Sequence, residues 1–222
     1  IAAGVFSYGF VIIAARGLGP DEFGSLGVLL TFLYFASSLV QGVATIVSRY
    51  VSVVGDENRS ELTDLVRSSL LTVGAYSLGA LVIYVAISPL ITSKLDIGSL
   101  AAVIVIGIVA VMRALTAVLR GAVEGLLRFI VSAVAYTLEA MVRFGLGLAL
   151  IAVGYTLLRT TLIFVASSLV LLAIPALVLP IDWRSILSRR PSHSEFTVTG
   201  QAYAVGGSFL LIAEGLETLE PG

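Results

Sequence analysis

Two stretches of this chain, Phe23 to Ser48 and Ser68 to Ser93, contain no charged residue at all. Each exceeds the roughly 20 apolar residues that a helix needs to cross a bilayer. Both are also too long to read as buried helices of a soluble domain. Read the same way, the chain has seven candidate spans: Ile1 to Ala15, Phe23 to Ser48, Ser68 to Ser93, Ile97 to about Leu119, Phe129 to Gly154, Thr160 to Leu179, and one from near Thr197 toward the end. The expected fold is therefore all-α, a polytopic membrane protein. A six-helix transmembrane lobe covers residues 1–180, a cytoplasmic linker 181–199, and the start of a seventh helix 200–222. Composition agrees. Hydrophobic residues make up 58% and charged residues 12%, where a soluble domain carries about 25% charged. That leaves too few charges to cover a soluble enzyme's surface. A net charge of −1 offers no basic face for nucleic acid.

The cations set an orientation. Arg49, Arg59 and Arg67 lie between spans two and three, Arg113, Arg120 and Arg128 around the turn between four and five, and Arg184, Arg189 and Arg190 between six and seven. The alternate loops hold one cation each: Arg16, Lys94 and Arg159. The positive-inside rule then predicts a cytoplasmic N-terminus and a multi-pass protein of the cytoplasmic membrane. The chain opens at Ile1 inside an apolar run, so a fragment or processed form is expected; no basic flank marks a signal peptide. Asn58-Arg59-Ser60 matches a glycosylation pattern, but it falls in a cytoplasmic loop. Asn58 reads better as a helix N-cap, with Glu61 completing a capping box. Trp183 suits the membrane interface. Pro175 predicts a kink in span six.

No catalytic constellation is visible, and the function expected is not enzymatic. The chain has no Cys and one His, His193, which excludes a two-His metal site and reads as a solvated loop residue. The only lysine, Lys94, has no phosphate-binding glycine loop before it. Gly121-x-x-x-Gly125 matches a helix-packing pattern, but among charged residues at a turn the packing role is the weaker reading.

Glu139 and Arg143 carry the most information. Span five is about 39 Å long, and the two residues lie roughly 15 and 21 Å along it, near the midplane. They stand four apart on one face, acid first, the favoured order for an ion pair. Each charge costs about 2.5–3.5 kcal/mol at the bilayer centre, which disfavours a lipid-facing position. They either line a water-filled cavity that binds an anion or relays ions, or they fix two helices together. A second set, Arg113, Arg120, Glu124 and Arg128, is expected at the cytoplasmic end. It is a gate or a point where anions enter, or ordinary charge beside lipid headgroups, the stronger reading. Glu214 and Glu217 share a face of span seven; they could line a cavity or mark a chain end that never fully inserts.

Three segments carry a family resemblance: ARGLGPDEFG from Ala15, LRGAVEGLLRF from Leu119 and YTLEAMVRFGLGLALIAVG from Tyr136. In order and placement they resemble polysaccharide biosynthesis proteins of the MOP superfamily. These are oligosaccharide-lipid flippases related to multidrug and toxic-compound extruders. The resemblance covers roughly Ile1 to Arg184. It implies two six-helix lobes around a cavity with alternating access. The implied substrate is an isoprenoid-pyrophosphate-linked oligosaccharide, moved across the membrane for surface polysaccharide synthesis. Arg143 and Glu139 match the helix-five pattern as cavity residues; Arg49, Arg113, Arg120 and Arg128 match less closely. No cofactor is implied, although a Na+ or H+ gradient is a candidate for coupling. The implied partners are the bilayer, the lipid-linked substrate, and a second lobe or half-transporter, since alternating access needs two bundles. Two rival functions stand beside it: a cation-coupled multidrug extruder lobe, and a non-transporting scaffold of a polysaccharide-synthesis complex.

Overall fold

The computed structural model describes residues 2–55 and 58–181. The seventh span, with Glu214 and Glu217, and nearly all of the linker, with Trp183 and His193, lie outside the described residues. Among the described residues there is no strand. Five helices are long and apolar enough to cross a membrane: α1 Ala2–Val54, α2 Arg59–Lys94, α3 Leu100–Gly125, α4 Phe129–Val153 and α5 Leu157–Val178.

α1 is not one straight rod. Its 53 residues are interrupted at Gly19, where φ is 76° and ψ 170°. That conformation suits a residue without a Cβ, and Pro20 supplies no N–H to continue the ladder behind it. The first two expected spans fall on the two arms of α1, before and after Gly19, and exposed Arg16, Asp21 and Glu22 flank the break.

The other boundaries move in instructive ways. α2 starts at Arg59, well before the uncharged run, because its first turns are half polar and pack Leu62 and Val66 inward. Asn58 does sit at the N-cap position, but it makes no side-chain bond to the helix backbone. Its Nδ2 donates to Glu61 Oε2 at 2.7 Å instead, so the expected reciprocal box does not form. α5 runs through Pro175 to Val178. The proline falls in the last turn, so its missing N–H removes one bond close to the helix end.

α3 continues past Leu119 to Gly125, and this corrects the reading of its glycine pair. A Cβ on Gly121 would lie 2.5 Å from Ala44 O, and one on Gly125 2.6 Å from Ser48 O. The two glycines let α3 meet α1 backbone to backbone, so the packing role is the one realised. Charge in the neighbourhood did not prevent it because Arg120 and Glu124 point along other faces of the helix.

Two apolar clusters fill the bundle. One gathers Phe10, Leu18, Leu29, Ile97, Val103 and Phe164, near the Gly19 break. The other gathers Val47, Val51, Leu62, Val118, Val123 and Leu179, near the turn between α3 and α4. The outward faces are apolar too: Val82 and Ile83 on α2, Ile130 and Ile151 on α4, and Leu177 on α5 are exposed. Water would penalise such a surface, whereas hydrocarbon would not.

Candidate functional site

Between the two apolar clusters lies a layer of buried charge. Glu139 of α4 is 2% exposed. Its carboxylate receives Arg113 of α3, through Nη2 on Oε1 and through Nη1 on Oε2 at 3.4 Å. Arg143, one turn along α4, donates Nη2 to the same Oε1. Arg143 is covered on its other side by the ring of Phe164, 5.0 Å from the guanidinium to the centroid. Two guanidiniums on one carboxylate leave the layer with one net positive charge. A buried pair with excellent geometry offsets its desolvation cost; the surplus cation has no such compensation and favours an anion.

Arg113 is the residue whose place differs most from the expected grouping. It lies about 20 Å along α3, near the middle of the helix, on the partner of Arg143. Sequence spacing placed it with the cytoplasmic set. α3 and α4 are antiparallel about a short turn, so positions equally far from the turn share a depth.

Arg120 stands two turns further along the same face of α3. It donates to Tyr136 Oη on α4 and to Gln41 Oε1 on α1. Its Nε lies 3.4 Å from Glu124 Oε1 as an ion pair, outside hydrogen-bond geometry. Arg128 has left the charged layer: it precedes α4 and gives Nη1 to Val178 O at 3.3 Å, at the end of α5. A cation there complements the negative helix end. Arg159 does the same for α4, donating to Val153 O at 2.9 Å and Gly154 O at 3.0 Å. In the same connection Tyr155 donates to Gly147 O, and burial raises its phenol pKa above the usual value. Arg49 is exposed on α1 and does not border the site.

A polar cavity of about 270 Å³ opens beside this layer. α1 contributes Ser37, Ser38 and Gln41, α3 Arg113, Thr116 and Arg120, α4 Tyr136 and α5 Leu171. The hydroxyls of Ser37, Ser38 and Thr116 donate back to carbonyls of their own helices at 2.7 to 2.8 Å. They present lone pairs to the cavity, and the arginines present the protons. The Nε–H groups of Arg113 and Arg120 are buried and lack a hydrogen-bond acceptor among the described residues. Gln41 and Tyr136 were not singled out from sequence. The signal for Gln41 is present: it is the one amide in the uncharged run Phe23 to Ser48.

A second cavity, of about 490 Å³, lies between α1, α2 and α3 and is almost wholly apolar. Phe32, Leu39, Val43, Leu81 and Ile106 are among its walls, and the buried hydroxyl of Tyr84 has no partner there among the described residues.

No family model and no curated protein matches the chain. Solved structures do. One is the outward-facing conformation of a multidrug resistance MATE family transporter of the MOP superfamily, with a TM-score of 0.69 at 16% identity over 93% of this chain and 48% of that one. Another is a MATE protein crystallised in complex with MaD3S, with a TM-score of 0.61 at 18% identity, covering 93% and 49%. The likeness is one of fold. The chain spans about half the length of these proteins.

Proposed function

We propose that this chain forms one lobe of a two-lobed membrane transporter and that its polar cavity receives an anionic headgroup. The substrate class that fits is an isoprenoid-pyrophosphate-linked oligosaccharide, moved by alternating access for surface polysaccharide synthesis. One observation carries the reading: Arg113 and Arg143 share the single carboxylate of Glu139, and the surplus charge borders a cavity that Arg120 also lines two turns along α3. Guanidinium forks match phosphate oxygens.

In this reading the two arms of α1 cross the cytoplasmic membrane separately, giving six crossings over residues 1–180 with a cytoplasmic N-terminus. Residues 181–199 link to a second lobe that opens at 200–222 and supplies the other cavity wall. Arg120, Glu124 and Arg128 stand on the cytoplasmic side, and a Na+ or H+ gradient drives the cycle.

Export tests the proposal directly. In the complete two-lobed protein, Arg113→Gln with Arg120→Gln should abolish surface-polysaccharide export while insertion, measured in parallel, stays normal. Near-normal export with normal insertion would sink the anionic-substrate reading.

The fold likeness favours a second reading, a cation-coupled drug extruder lobe, since one neighbour is described as a multidrug resistance transporter. That function wants an acid free to take a cation. Glu139, the acid at depth, already holds two arginines. Drug efflux that survives loss of Arg113 and Arg120 but not of Glu139 would favour the extruder.

A further inference from the structure

Arg113 faces two ways. Its guanidinium is held by Glu139 of α4, yet it also borders the polar cavity, and its side chain is 19% exposed. Arg143 does not border that cavity; it grips the same carboxylate oxygen from within α4 and lies under Phe164. Glu139 therefore keeps a cation if Arg113 leaves. Arg113 also has a place to go. Arg120 borders the same cavity seven residues on, two turns along one face.

We propose that Glu139 is a built-in stand-in for the substrate anion. An anion of the phosphate or pyrophosphate class, entering the cavity, takes Arg113 from Glu139 and bridges it to Arg120, and this exchange frees α3 from α4. The inference rests on the anionic-headgroup reading above and adds its regulation. A multiply charged phosphate outbids a single carboxylate for a guanidinium fork because it offers more charge and more acceptor oxygens. The exchange also supplies what a ligand-driven motion requires, a ligand that binds one arrangement better than the other. Without the anion, the Arg113–Glu139 pair ties α3 to α4 at mid-depth.

The test uses the complete two-lobed protein in lipid nanodiscs, with inorganic pyrophosphate as the probe. Spin labels on Leu100→Cys and Val153→Cys, exposed positions at the shared end of α3 and α4, report the separation of the helices. Glu139→Gln removes the internal competitor. It should bind pyrophosphate about tenfold tighter than the unaltered protein, and its ligand-free label distance should already match that of the pyrophosphate-bound protein. Arg113→Gln should bind none and show no change in distance. Glu139→Asp keeps the charge on a shorter arm and should give an intermediate gain, which preserves the test if Glu139→Gln fails to fold. Pyrophosphate binding that is unchanged or weaker in both Glu139 variants would overturn the exchange and leave the anionic cavity standing. Absence of pyrophosphate binding in every form would overturn both.

Discussion

The two cavities border the same pair of helices and share Val40, yet one is polar and the other apolar. On α3 the polar wall takes Arg113, Thr116, Ala117 and Arg120, while the apolar wall takes Ile106, Gly107, Ala110, Val111 and Ala114. On α1, Ser37, Ser38 and Gln41 face the first, and Phe32, Ala36, Leu39 and Val43 face the second. Successive residues of a helix turn by about 100°, so one step along the chain moves from a serine to an alanine wall. A span's mean hydropathy averages over both faces and hides the difference. What separates the cavities is angle on α1, where the two sets of residues interleave, and height on α3, where the apolar wall comes before most of the polar one.

Substitutions can erase or sharpen this contrast. Glu139→Ala should have the largest effect. It leaves Arg113 and Arg143 facing one another without a counter-charge and should cost about 3–5 kcal/mol of stability, measured by thermal unfolding in detergent. A loss no greater than that of a conservative change on the apolar wall would mean that the charged layer bears no special strain. Gly121→Val comes next. Its side chain would meet Ala44 O, pushing apart the two helices that wall both cavities, at a cost of about 1–3 kcal/mol. If unfolding is unaltered, the backbone contact between α1 and α3 is not tight. Arg120→Lys should cost about 1–2 kcal/mol, because an ammonium cannot span Gln41 and Tyr136 as the guanidinium does. The same change should leave the apolar cavity intact, as judged by binding of an apolar fluorophore. Tyr84→Phe has the opposite sign. Removing a buried hydroxyl without a partner should stabilise the protein by about 1 kcal/mol, and a loss of stability would show that the hydroxyl is bonded in the membrane.

Much of the architecture was legible from charge-free length. Phe129 to Gly154 and Thr160 to Leu179 fall within a few residues of α4 and α5. The Glu139–Arg143 pair was legible because both partners sit on one helix, where spacing fixes the geometry. Arg113 was not, because its partner lies 26 residues away on another helix, and Gln41 lies 79 residues from Arg120. The register between two helices depends on how their side chains interlock, which no single-helix period contains. The glycine pair was underrated for a related reason. A charged neighbourhood is a property of the sequence window, whereas a packing face involves only every third or fourth residue. At Asn58 the residue pattern gave the right boundary but the wrong bonds, since its amide found a closer acceptor in Glu61.

The break in α1 has a consequence for how such a chain is made. An unbroken helix of this length would be about 80 Å long, against a hydrocarbon core of about 30 Å. If each arm of α1 crosses the bilayer on its own, the break decides parity. With it, the later helices enter alternately from one side and the other in the sense read from the cations; without it, every one of them would be threaded in reverse. On that path Gly19, in a backbone conformation that most residues resist, would be the point that sets the parity. The exposed charges of Arg16, Asp21 and Glu22 beside it would then favour the aqueous edge at that point.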